Sequence, residues 1–213
     1  MNYSFVQKLS AELIGTFILA TAVLTSLTPS NPFPIATPIA AGLALGLCVY
    51  IIGGISGCHI NPAISFSMLI SKKLSFKDFI GYVIVQVCGG VLALLMVTIY
   101  VPLGQEGWLV SHKASIFSGI GEGLGTAFFS FGVMATAHNK DIGKATSGIV
   151  VGSSLLLGLI VSHNASYGIL NPAVALATKA WSWDYLLMPF VGASVGALVS
   201  YLLFRPRGHL QES

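Results

Sequence analysis

With 213 residues, 54% of them hydrophobic and only 8% charged, and a mean hydropathy of +0.84, the chain is excluded from the soluble globular class. It reads as a polytopic membrane protein embedded in a lipid bilayer. The net charge of +3 carries no partner information and nucleic acid is not an expected ligand, because in a membrane chain the placement of Lys and Arg outweighs their sum.

No charged leader with a small-residue cleavage site precedes the first apolar run, so the start reads as mature sequence. Six apolar segments, about 5–27, 37–55, 78–101, 115–137, 145–163 and 184–204, are long enough to span. Between the second and third stands Cys58-His59-Ile60-Asn61-Pro62-Ala63, and between the fifth and sixth stands Gly168-Ile169-Leu170-Asn171-Pro172-Ala173. Asn is a preferred N-cap, Pro is favoured at the first helical position where its missing N–H costs nothing, and Ala sustains the helix. Each Asn-Pro-Ala triplet therefore predicts a helix start. Helices from Asn61 to about Ile70 and from Asn171 to about Ala180 would each rise roughly 15 Å, half of a roughly 30 Å hydrocarbon core.

The layout repeats. The triplets lie 171 − 61 = 110 residues apart, Glu12-Leu13-Ile14-Gly15-Thr16 is echoed by Glu122-Gly123-Leu124-Gly125-Thr126 at 122 − 12 = 110, and Gly42 is echoed by Gly152. A first repeat over about 5–101 and a second over about 115–204 make up a single membrane domain, 1–213. Three full spans per half turn the second half upside down relative to the first. The expected fold class is an all-α membrane protein: six transmembrane helices plus two membrane-dipping half-helices in an inverted repeat. Lys8, Lys72, Lys73, Lys77, Lys140, Lys144, Arg205 and Arg207 fall on one side of this topology, against Lys113 and Lys179 on the other, which predicts both termini on the cytoplasmic side. Gly is frequent on the spans, as close helix packing in lipid requires.

Two half-helices meeting at the midplane would point positive dipole ends and free N–H groups at each other and repel a cation. The amides of Asn61 and Asn171 would add donors, and the irregular stretches before them would present the backbone carbonyls of Gly57, Cys58, His59, Ile60, Tyr167 and Ile169. Non-helical backbone at this depth must be buried in protein or face water, and a polar path through the chain satisfies that. Glu12 and Glu122 stand inside spans, where an ionisable group is a functional candidate; acceptance of hydrogen bonds from the non-helical loop of their own half is the expected role. Gln86 is expected to act similarly, and His59 to be fixed by a neighbouring carbonyl.

With both triplets, the Ser56-Gly57-Cys58-His59 lead-in, the paired glutamates, Gln86 and Pro189, the chain resembles the major intrinsic protein family, the aquaporins and aquaglyceroporins, over essentially its whole length. The resemblance implies a homotetramer with a pore in each subunit, passing water or small neutral solutes through a plasma or bacterial inner membrane. The chain departs from the family pattern at one place. Arg usually follows the second triplet at the outer constriction; here that position is Val174. By the family's spacing the other constriction positions are Ala41, Leu159 and Gly168. All four are apolar, which predicts a wide constriction open to uncharged solutes of glycerol or urea size as well as water.

Lesser features have plainer readings. Cys48, Cys58 and Cys88 read as buried small hydrophobes, with Cys58 the one thiol near the path. Asn164-Ala165-Ser166 fits a glycan acceptor but abuts the loop, and His163 reads as a solvated residue near the mouth. Trp108, Trp181, Trp183 and Tyr185 read as interfacial belt anchors. No nucleophile and base pair, metal-ligand spacing or phosphate loop argues for an enzyme, a metal or a cofactor. Rival readings are an ion-coupled secondary transporter, which would need a coupling carboxylate in a span, a water-selective channel, and a junction protein, which the short outer loops disfavour.

Overall fold

The computed structural model describes residues 3–29, 31–101, 114–139 and 141–204. Lys113, Lys140, Arg205, Arg207 and Trp108 lie outside the described residues. The described residues are all-helical, and the elements begin where the sequence supplies caps. α1 (Phe5–Ser26) opens on a capping box in which the Ser4 side chain accepts from the Gln7 N–H and the Gln7 side chain accepts from the Ser4 N–H. α2 (Thr37–Ser56) has Pro38 in its first turn and stops at Gly57, whose φ of 93° a side chain would strain. α3 (Pro62–Ile70) is the first half-helix. α4 (Phe76–Tyr100) and α5 (Ile116–His138) are capped by Ser75 and Ser115, and α6 (Lys144–Ser162) completes the fifth span. α7 (Pro172–Ala177) is the second half-helix, followed by α8 (Trp183–Leu186) and α9 (Met188–Phe204).

Six stretches are long and apolar enough to cross a membrane, with α8 and α9 together making the sixth. The division of that span is a departure from the continuous run expected. Pro189 has no N–H to donate back one turn, and Leu187 is pulled to φ −110° there.

The helix pairing is the same in both halves. α1 packs on α4 as α5 packs on α9, and α2 meets α6 across the middle. Each half-helix crosses to the other half, α3 against α9 and α7 against α4. The α2–α6 contact depends on glycine: a Cβ on Gly42 would stand 2.9 Å from the Gly152 carbonyl oxygen, and one on Gly46 2.9 Å from that of Gly148. The outer surface is apolar, with Leu43 66%, Ile99 80% and Leu203 66% exposed, as lipid rather than water demands.

The second half-helix is shorter than the sequence predicts, stopping at Ala177 rather than near Ala180. Both rods close by the same turn. Lys72, at φ 58°, and Lys179, at φ 61°, hold the left-handed position. Lys73 donates its N–H to the Met68 carbonyl, and Ala180 donates its own to the Ala175 carbonyl, both at 2.9 Å. The closing lysines lie 179 − 72 = 107 residues apart while the opening asparagines lie 110 apart, so the second rod has lost 110 − 107 = 3 residues. Thr178 secures the early stop by donating its hydroxyl to the Val174 carbonyl at 3.0 Å.

Candidate functional site

The half-helices meet at their N-termini, and the two asparagines are clasped reciprocally. Asn61 Oδ1 accepts the Ala63 N–H at 2.8 Å while its Nδ2 donates to the Leu170 carbonyl at 2.9 Å. Asn171 Oδ1 accepts the Ala173 N–H at 3.0 Å while its Nδ2 donates to the Ile60 carbonyl at 3.0 Å. An amide nitrogen carries two N–H groups, so each Asn caps its own helix, ties down the opposite loop, and keeps one donor in reserve.

The loops before the triplets adopt backbone that L-residues avoid. Cys58, Ile60 and Leu170 have φ of 53°, 41° and 56°, and Gly168 has 63°. The left-handed region costs about 1–2 kcal/mol for each residue with a Cβ, so something must hold it. The buried glutamates do. Glu12 Oε1 accepts from Ser56 Oγ at 2.6 Å and His59 N at 2.9 Å, and its Oε2 accepts from Ile60 N at 2.6 Å and Gln86 Nε2 at 2.8 Å. Glu122 Oε1 accepts from Ser166 Oγ at 2.7 Å and Ile169 N at 3.0 Å, and its Oε2 accepts from Leu170 N at 2.7 Å. Both carboxylates are fully buried.

Two details differ from the sequence reading. Gln86 donates to Glu12 rather than accepting from backbone, because a carboxylate leaves it no other role. His59 is held by the Ser65 hydroxyl at 3.2 Å rather than by a carbonyl.

A cavity of about 280 Å³ reaches from a mouth at Thr37, His163 and Tyr167 down to Asn61 and Asn171. Its walls are Leu19, Val23, Leu45, Phe129 and Leu155, and Ala41, Leu159, Gly168 and Val174 all border it. A Cβ on Gly168 would stand 3.0 Å from the Leu159 carbonyl oxygen, so those two positions are in direct contact. Of the residues expected to offer carbonyls, His59, Ile60, Tyr167 and Ile169 border the cavity; Gly57 and Cys58 are not part of its wall. The Ile60 carbonyl is engaged by Asn171, and the matching acceptor in the other half is Leu170, the last residue of the irregular stretch 167–170. Ile60 and Leu170 stand at the same 110-residue offset as the two asparagines.

Other expectations are corrected by burial. Tyr185 is no interfacial anchor: it is fully buried, and its hydroxyl oxygen accepts the Tyr167 N–H at 3.1 Å, bracing the mouth loop. Trp181 and Trp183 are exposed, as a belt position requires. Cys48 and Cys58 are buried, whereas Cys88 is exposed on the apolar face of α4. Ser166 of the glycan-like triplet is engaged by Glu122. Asp184, at the start of the sixth span, is buried and accepts the Ser115 N–H at 3.3 Å, where it serves the entry to α5.

Comparison with known proteins places this arrangement. The family model described as "Major intrinsic protein" matches residues 2–204. The chain is 31% identical to the glycerol uptake facilitator protein-like 6 of Lactiplantibacillus plantarum, covering 92% of this chain and 98% of that protein. It is 32% identical to Nodulin-26 of Glycine max, covering 93% and 78% respectively. Among solved structures, the aquaglyceroporin from Plasmodium falciparum superposes with a TM-score of 0.74 at 20% identity over 93% of this chain and 96% of that one, a likeness of fold.

Proposed function

Because the chain belongs to the major intrinsic protein family of membrane channels, we propose that it passes uncharged solutes of glycerol and urea size together with water, without coupling to an ion gradient. The observation that carries the solute range is the set of four apolar residues, Ala41, Leu159, Gly168 and Val174, on the wall of one cavity, with no fixed cation among them. A ring without guanidinium or aromatic side chains leaves both width and an apolar face for a carbon skeleton, while Asn61, Asn171 and the loop backbone supply the polar side. The half-helix N-termini remain as a barrier to cations.

Ion coupling is disfavoured because Glu12 accepts four hydrogen bonds and Glu122 three, which commits both carboxylates to holding the loops. The family is one of channels and facilitators, not enzymes. The wider assembly follows the family: a homotetramer with one pathway per subunit, both termini cytoplasmic by the distribution of Lys and Arg, in a plasma or bacterial inner membrane.

A stopped-flow panel on liposomes bearing the protein tests the solute range. Glycerol, urea and water should all cross faster than in empty vesicles. Swelling in water with no entry of glycerol or urea would establish the water-selective alternative instead.

A further inference from the structure

The branch of the first loop's polar network that runs from Gln86 through Ser65 to His59 has no counterpart in the second half. Adding 110 to Ser65 and His59 gives Ala175 and Ile169; beyond the shortened rod Gly89 and Gly192 pack alike against Leu13 and Gly123, which sets Pro189 opposite Gln86, and none of the three has a polar side chain. Among the described residues, the first half alone places an imidazole next to the asparagine pair, His59.

The hydrogen bonds in that network can be assigned a direction. As an ionised carboxylate Glu12 accepts on Oε2 from the Ile60 N–H and from the Gln86 atom 2.8 Å away, which is therefore Nε2 and donates. The same Nε2 lies 2.9 Å from Ser65 Oγ, which therefore accepts its second N–H. Gln86 Oε1 is left buried and without a partner among the described residues, so Glu12 and not the oxygen's own needs sets the amide's orientation. Ser65 has one proton to give. Its remaining neighbour is His59 Nδ1 at 3.2 Å, which must then be the unprotonated nitrogen. The opposite assignment, with Nδ1–H donating to Ser65, would leave the Ser65 proton without an acceptor among the described residues.

A neutral imidazole with Nδ1 bare carries its proton on Nε2. That nitrogen has no hydrogen-bond partner among the described residues and lies over Gly57, where a built Cβ would stand 3.0 Å from it. His59 borders the cavity beside Asn61, and the Tyr82 ring sits edge-on to it at 5.2 Å, filling another side with carbon.

We propose that Ser65, oriented by Gln86, is a positioning residue that locks His59 as the Nε2–H tautomer, so that this ring on the cavity border can donate a hydrogen bond but has no free basic nitrogen. The inference builds on the channel reading and adds a specificity element to it. With Val174 where a fixed cation usually stands, a donor-only imidazole next to the asparagines turns the oxygen of a water or hydroxyl toward itself. Its one basic nitrogen is engaged by the Ser65 hydroxyl.

The test is nitrogen NMR of histidine-labelled protein in bilayers, with the His59 signal identified by its loss in His59→Gln. The expected spectrum shows Nδ1 bare and Nε2 protonated in the wild type, loss of that single state in Ser65→Ala, and its return in Ser65→Thr. Proton flux into vesicles should rise in Ser65→Ala and fall back in Ser65→Thr. A wild-type spectrum with the proton on Nδ1 overturns the proposal, and so does a Ser65→Ala spectrum identical to wild type. Should Ser65→Ala not fold, the wild-type spectrum decides by itself. The tautomer is read with no solute present, so absence of flux would overturn the channel reading and leave this one to the spectrum.

Discussion

Val174 directly follows the second triplet, on the first turn of α7, and its side chain reaches the cavity wall. A guanidinium placed there would add width-filling bulk and a fixed positive charge to a cavity wall that Ala41, Leu159 and Gly168 also border. Val174→Arg should abolish glycerol and urea entry while sparing water, and should lower proton leak; solute swelling and vesicle proton flux measure the two effects separately. Equal proton flux before and after the change would show that the half-helix ends already supply the whole barrier. The two glutamates carry a second prediction at this scale. Each receives loop N–H groups that have no other acceptor, and a buried donor left unpaired costs about 1–3 kcal/mol. Glu122→Gln should destabilise the protein by about that much in detergent thermal unfolding. Glu12→Gln should cost more, because Gln86 also donates to Glu12 whereas its counterpart in the other half, Pro189, has no donor to give.

At the scale of elements, the short rods are held at both ends by local chemistry. Their starts are capped by Asn61 and Asn171, and their ends turn through a lysine in the left-handed region, a conformation that only glycine adopts without steric cost. Lys72→Gly should therefore raise stability by about 1 kcal/mol in the same unfolding measurement, since the turn persists and the Cβ clash is removed. The α2–α6 crossing gives the opposite expectation. Gly46 faces the Gly148 carbonyl with no room for a methyl, so Gly46→Val should force the helices apart and cost about 1–3 kcal/mol. Six spans and two half-helix starts were legible because apolar runs and caps are local signals. The stop of α7 at Ala177 was not, since it depends on Thr178 and Ala180 closing back onto Val174 and Ala175. The break near Leu187 follows from Pro189, which was visible, but its consequence for the helix path was not.

For the whole molecule, a pathway whose carboxylates are locked into loops gives flux that follows the solute gradient alone. Uptake should rise in proportion to external glycerol and ignore an imposed proton gradient, and saturation with proton dependence would revive the transporter reading. The apolar walls of the cavity show the limit of sequence reasoning most clearly. Leu19, Leu45 and Leu155 border the cavity, while Leu43, Leu47 and Leu157 are exposed on the same helices α2 and α6 or their neighbours. In a chain where both lipid and core are apolar, hydropathy cannot separate those two sets.

The linear order of residues was enough to establish a duplicated membrane chain, its spans, its two Asn-capped half-helices and the apolar character at position 174. Those are local or periodic properties, carried by composition and by one repeated offset. Only the tertiary structure decided which leucines face the cavity, that Tyr185 is inside, and that Gln86, Ser65 and His59 share one buried chain of hydrogen bonds. These depend on groups tens of residues apart sharing buried donors and acceptors, and the balance of such groups can be counted only once they are brought together.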